Sequence, residues 1–221
     1  MRGSRRKAGV LALAVVASYR LVVRGRQLGW GSTEDEARGR QPGDELLDRP
    51  DLVATRAITI DAPVEGVWPW IAQLGQGRGG FYSYDLAENL AGCDIHSADR
   101  ILPQWQDIAV GDEIRLAPQV GLRVAAVAAG RALVLRGAIP MGALTPPYDF
   151  TWAFVLAPGP GGGTRLIVRE RYAYTRWWAP LLIEPVSAVA FVMTRKMLRG
   201  IKQRAEQEPR RSTRERVGAS G

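Results

Sequence analysis

The sequence predicts an α+β domain: a curved antiparallel sheet of six to seven strands wrapped on one long C-terminal helix. Two short helices follow the first strand, and an apolar helix is expected at the N-terminus. Three observations lead there. From Gly111 to Tyr174 the chain is a series of short apolar runs broken by glycine turns, the pattern of consecutive hairpins. Residues 186–206 instead place Val186, Val189, Ala190, Met193, Met197 and Ile201 at helical spacing. A sheet with one apolar face must be covered, and that helix is the only element long enough to do it.

The elements follow in order. Residues 1–26 form a basic flank, an apolar run and a second basic flank; the run from Ala8 to Val23 is 16 residues and is interrupted by Arg20. A membrane-spanning helix needs about 20 apolar residues. The segment is therefore read as a marginal single-pass or interfacial anchor, with Arg20 and Arg24 able to snorkel. Residues 27–51 are polar and punctuated by Gly and Pro, a linker or a wrap over the domain. The domain proper is 52–206. Its first strand, LVATRAITI, is rich in β-branched residues. Asp61-Ala62-Pro63 then starts a helix whose apolar stripe is Val64, Val67, Trp68, Ile71 and Leu74, bent at Pro69. A glycine-rich loop at 75–80 leads to a second short helix at 84–90. Strands are expected at 112–117, 122–128, 131–137, 148–157 and 164–174, with hairpin turns at Ala129-Gly130 and 158–163. Residues 207–221 read as a solvated basic tail.

The net charge of +8 is unevenly placed. Residues 1–26 hold seven basic and no acidic residues, and 195–221 hold nine basic and three acidic ones. The stretch between them carries 14 basic and 19 acidic residues. A mildly acidic body excludes a nucleic-acid face on the domain, whereas basic ends suit an anionic membrane surface. The single cysteine, Cys93, cannot form an internal disulfide and fits a reducing compartment. Membrane association with the domain on the cytoplasmic side is the expected location, although cations on both flanks of the apolar run leave its orientation unset.

Strand alternation gives the sharpest expectation. In 148–156 one face carries Tyr148, Phe150, Trp152, Phe154 and Leu156, which should point inward. In 166–174 the apolar face holds Leu166, Val168, Tyr172 and Tyr174, and with them Glu170. The first strand likewise sets Arg56 in line with Leu52, Ala54, Ile58 and Ile60. An unpaired buried charge is expensive, so Arg56 and Glu170 are predicted to pair inside, as a structural pair or as ligand contacts.

The order of elements, with Ile58-Thr-Ile-Asp-Ala-Pro-Val-Glu-Gly-Val-Trp68, resembles the START-like (SRPBCC, polyketide cyclase/dehydrase and lipid-transport-like) superfamily. Residues 75–99 (GQGRGGFYSYDLAENLAGCDIHSAD), with Trp30-Gly31 after an apolar segment, look like a membrane-associated actinobacterial branch of it. The resemblance implies a helix-grip fold in which first and last strands are neighbours and an apolar pocket lies between sheet and helix. It says little of function, because that fold serves carriers, cyclases and receptors alike. The iron-holding relatives use two histidines and a carboxylate; His96 is the only histidine here, so neither that site nor a zinc site can be built. No metal and no cofactor is expected.

Gly75-Gln-Gly77-Arg-Gly-Gly80 matches the dinucleotide fingerprint, but it follows a helix and lies in no βαβ unit, so nucleotide binding is rejected. These glycines instead suggest a mobile loop at a pocket mouth, with Arg78 free for an anionic group, or a plain helix connection. Phe81, Tyr82, Tyr84, Asp85, Glu88, Asn89, His96 and Asp99 form the densest polar–aromatic cluster. His96, paired with Asp99 or Asp94, could act as acid or base, with Glu88 as a further carboxylate; alternatively these groups anchor a short helix. The apolar loop 141–147 is an entrance or an ordinary connection. The expected function is binding or carriage of a hydrophobic small molecule by a membrane-tethered domain. Arg78, Tyr82, Tyr84, Arg56, Glu170, Trp152, Phe154, Tyr172, Val189 and Met193 would be its contacts. The alternatives are a cofactor-independent cyclase or dehydratase using His96 with Asp99 or Glu88, and an interaction module with a filled core and no ligand.

Overall fold

A computed structural model describes residues 24–138 and 145–218. The N-terminal apolar run and most of the 141–147 loop lie outside the described residues. Helices α1 (Arg24–Leu28) and α2 (Glu34–Arg38) precede strand β1 (Leu52–Ile60). Helices α3 (Val64–Ala72) and α4 (Asp85–Leu90) follow it. Strands β2 (Glu113–Ala117), β3 (Val120–Ala128), β4 (Ala132–Gly137), β5 (Tyr148–Pro158) and β6 (Thr164–Tyr174) lead to α5 (Ala179–Gly218). The six strands form one antiparallel sheet in the order β1-β6-β5-β4-β3-β2, so the first and last strands are neighbours. This is the helix-grip arrangement. Among the described residues, no helix is long and apolar enough to cross a membrane.

One core lies on the concave face. Leu52, Ile60, Leu133, Leu135, Phe150, Phe154, Leu166 and Val168 meet Val67, Trp70 and Ile71 of α3, Leu74 just after it, and Ile183, Met197, Leu198 and Ile201 of α5 there. Most of these side chains are fully buried between sheet and helix.

Residues 27–51 are an ordered wrap rather than a free linker: Gln27, Leu28 and Trp30 pack at the concave side, and the chain from Ser32 to Asp51 covers the convex face. Ala57, Val134, Ala153, Val155 and Ile167 form a small apolar cluster beneath it. Three arginines in alternation on β6 tie it down. Arg165 pairs with Glu36 at 2.7 Å, Arg169 with Asp44 at 2.6 Å, and Arg171 with Asp44 at 2.9 Å. Gly31 has to be glycine: its φ is +71°, and a Cβ would stand 2.2 Å from the Ala57 carbonyl oxygen.

Helix α5 departs from expectation at both ends. It begins at Ala179, well before Pro185, and continues to Gly218 through the stretch read as a tail. Proline inside a helix removes one donor and leaves the carbonyl four residues earlier unpaired. That residue, Leu181, is exposed, so water can take the bond. The buried face is also turned. Ile183, Ser187, Thr194, Leu198 and Ile201 face inward, while Val186, Val189 and Val192 face out. The apolar residues of the first half surround the helix, which left their periodicity without a unique face; Ser187 and Thr194 decided it.

Helix α5 crosses the chain at Gly200, where a Cβ would lie 2.3 Å from the Tyr82 carbonyl oxygen. At a free helical position Gly→Ala stabilises by about 1 kcal/mol. Here Gly200→Ala is expected to destabilise by about 2 kcal/mol, because the added methyl has nowhere to go. A thermal melt checks the sign: the midpoint should fall by about 6 °C.

Candidate functional site

The register of the sheet sets a polar group in the middle of the concave face. Directly opposed residues share a face, and Ala54, Glu170, Trp152 and Leu135 form one such row across four strands. Arg56, Val168, Phe154 and Leu133 form the next row. The predicted pair is present: Arg56 Nη1 donates to Glu170 Oε1 at 2.6 Å, with the Arg56 side chain 0% exposed. The Thr194 hydroxyl, from α5, donates to the same oxygen at 3.0 Å, and the Tyr172 hydroxyl lies 3.5 Å from the other. Arg56 Nε donates to the Gln27 carbonyl oxygen at 3.2 Å, and Phe191 lies under the guanidinium. Burial first, and the Glu170 carboxylate next, push the Tyr172 hydroxyl well above its ordinary pKa, so it stays a neutral donor.

The group is incompletely satisfied. Arg56 Nη2 and Trp152 Nε1 are buried without a hydrogen-bond partner, as is the Ser187 hydroxyl, two turns before Thr194 on the inward stripe of α5. An unmade bond of this kind costs about 1–3 kcal/mol per buried polar group. Trp152 otherwise packs among aromatic rings, 4.8 Å from Phe154 and 6.0 Å from Phe81 between centroids. Two unpaired N–H donors and a hydroxyl thus border the seam between α5 and the sheet. Such an arrangement can receive an oxygen acceptor.

Several other residues singled out in the sequence stand elsewhere. Val189 is 65% exposed on the outer side of α5, which corrects its placement in a pocket wall. Met193 is half-buried, and its carbonyl accepts from the Ser83 hydroxyl. Arg78 is not free for an anion. It donates to the carbonyls of Ala72 and Trp105 and lies over the Trp105 ring, closing the end of α3. Tyr82 is a core residue whose hydroxyl donates to the Trp70 carbonyl and accepts from Gln73. Burial pushes its pKa far up. Tyr84 is exposed beneath Lys196.

His96 is 82% exposed and stands 3.3 Å from Asp94, also exposed; it does not enter the interior. Asp99 is exposed as well. Glu88 is the one carboxylate of the three candidate acid–base residues that is half-buried, with Oε2 unpaired. Burial raises its pKa, and Asp85 adds to this. A carboxyl whose pKa is raised on folding stabilises the protein below its unfolded pKa and loses that contribution as pH rises through the folded value. Glu88→Gln should therefore raise stability at pH 7 and leave it unchanged at pH 3, as read by denaturant midpoints at the two pH values.

Sequence reasoning missed Gln73, Thr194, Gln27 and Phe191. Gln73 is fully buried and joins Tyr82, Arg100, Leu102 and Gln106, holding the 97–108 segment to α3. A glutamine directly after an amphipathic helix was its only signal.

Two open cavities lie away from the concave interior. One, of about 460 Å³, opens on the convex side among Arg38, Arg40, Asp44, Asp48, Arg169 and Arg171. The other, of about 330 Å³, lies between Ser83, Asp85 and Ser97 on one side and Lys196, Gln203 and Arg204 on the other.

No family model matches the chain, and no curated protein matches it. Among solved structures it is similar to protein MLL2253 from Mesorhizobium loti, with a TM-score of 0.45 and 16% identity over 71% of this chain and 98% of that one. It is also similar to protein Ms6760 from Mycobacterium smegmatis, with a TM-score of 0.42 and 15% identity over 69% and 89%. A third is the Polyketide_cyc-like protein Cgl2372 from Corynebacterium glutamicum, with a TM-score of 0.35 and 13% identity over 71% and 92%. Likeness at this level carries nothing about function. The helix-grip assignment rests on the strand order and the terminal helix of this chain.

Proposed function

We propose that the domain binds or carries a neutral, largely apolar molecule bearing a carbonyl or hydroxyl oxygen, received at the seam between α5 and the sheet. The observation that carries this reading is the set of unpaired polar atoms there: Arg56 Nη2, Trp152 Nε1 and the Ser187 hydroxyl. Buried donors are nearly always satisfied, by protein, water or ligand. Because Arg56 is already neutralised by Glu170, an uncharged acceptor suits the site better than an anion. These atoms are buried from solvent, so uptake requires the first half of α5 to part from the sheet. In this reading residues 1–26 tether the domain to a membrane, where apolar molecules of this class partition, on the cytoplasmic side.

An acid–base reading gains less from the geometry, since His96 lies outside the interior. Native mass spectrometry of the full chain purified from its own host tests the proposal. The protein should carry an apolar compound releasable by organic solvent, and Trp152→Phe should retain several-fold less of it. Protein that is recovered without any such compound, from fresh membranes and cytosol alike, would contradict the proposal.

A further inference from the structure

The outer side of α5 changes character along its length. From Ala179 to Met193 the only charged residue is Glu184. The outward stripe of that half is Leu181, 77% exposed, then Pro185, Val189 and Val192, the last 49% exposed. Beyond it the outward positions are Lys196 and Arg199. Directly before the helix, Trp177 is 88% exposed and Trp178 stands partly exposed beside it, after Arg176. A helix apolar on its outer as well as its inner side is one whose outer side is covered. Contiguous exposed apolar surface of this kind marks an interaction site.

Three features identify what covers it. Exposed tryptophans beside cations are the composition of a membrane interface, where an amphipathic ring has one apolar and one wet edge. The charges bordering the stripe (Arg176, Lys196, Arg199) are basic, complementary to anionic headgroups. Finally, Arg24 holds Glu184 through contacts of 2.7, 3.0 and 3.1 Å. Arg24, which directly follows the apolar run 8–23 in the sequence, is thus held on this half of α5. About 15 helical residues span about 22 Å, too short to cross a bilayer but suited to lying along one.

We propose that Trp177 and the outward face of α5 as far as Val192 dock on the surface of an anionic lipid bilayer, laying the helix in the interface. The seam beneath that half of the helix then opens toward the lipid. The docking face stands independently of what the seam binds.

The test uses the full chain carrying Cys93→Ala and a single nitroxide-labelled cysteine, at Leu181, at Val189, or at the exposed Glu113 of β2 as control. Vesicles of phosphatidylcholine with phosphatidylglycerol are added, and collision with dissolved oxygen and with a nickel chelate is measured by spin resonance. Labels at 181 and 189 are expected to gain oxygen contact and lose nickel contact several-fold, with the label at 113 unchanged. Two results overturn the proposal. Labels at 181 and 189 that stay as water-accessible with vesicles as without would show that lipid does not cover the face. Labels already shielded before vesicles are added would show that residues 8–23 or a second copy of the chain covers it.

Discussion

Replacing Glu170 by alanine is expected to lower stability by about 3–5 kcal/mol, because it leaves a fully buried guanidinium without its counter-charge. Glu170 is also the acceptor for Thr194, so one substitution removes both the Arg56 partner and a link from the sheet to α5. For a chain of this size the thermal midpoint should drop by about 10 °C. The double replacement Arg56→Met with Glu170→Leu should recover most of the loss. It removes the desolvation penalty together with the attraction, and apolar side chains of similar volume fill the site. Denaturant midpoints of the single and double variants decide this. A double variant as unstable as the single would mean that the pair is a net source of stability. It would not then be a polar group held at a cost for what it recognises.

Asp44→Ala is expected to be nearly as damaging, though by another route. Asp44 is the acid that the Arg169 and Arg171 side chains share, and it also accepts from the Gln41 backbone. Burial already pulls the Arg169 pKa down, and Asp44 is what chiefly opposes that. Without it a buried and a partly buried guanidinium group lie together beneath the wrap without their shared acid, a loss of about 3 kcal/mol by analogy with other broken buried pairs. The damage should be local. Limited proteolysis is expected to cut within 33–49 in the variant, while the concave core resists. Uniform cutting along the chain would show instead that the wrap and the core unfold as one.

Much of this architecture is legible in the sequence, because its determinants are local. The β1 and β6 boundaries follow from β-branched runs closed by Asp61 and opened after a glycine turn, and they match the structure residue for residue. The Arg56–Glu170 pair is legible for the same reason. A period of two assigns each side chain a face, and a charge on an apolar face needs a partner. What is not local was missed. The facing of α5 depends on Ser187 and Thr194 meeting a polar group that another element supplies, and an all-round apolar segment has no periodicity that reveals this. Residues 81–99 show the converse. Density of His, Tyr and carboxylates reads as chemistry, yet Asp85 and Asn89 spend their side chains on the backbone of Ile95 and Ser97. His96 is left pointing to solvent as a consequence.

The concave seam as a site for an oxygen-bearing apolar molecule is tested most directly at the Trp152 indole. Of the seven tryptophans, Trp152 is the one set beside Glu170 on the inner face. Proton–nitrogen NMR of the full chain in lipid-mimetic solution would follow its indole N–H during addition of methyl decyl ketone, with dodecane as the chain lacking an acceptor. The Trp152 signal is predicted to move downfield with the ketone, as a new hydrogen bond requires, and to stay in place with the alkane. A signal that ignores both, or one that responds equally to both, would contradict recognition of an oxygen at this seam.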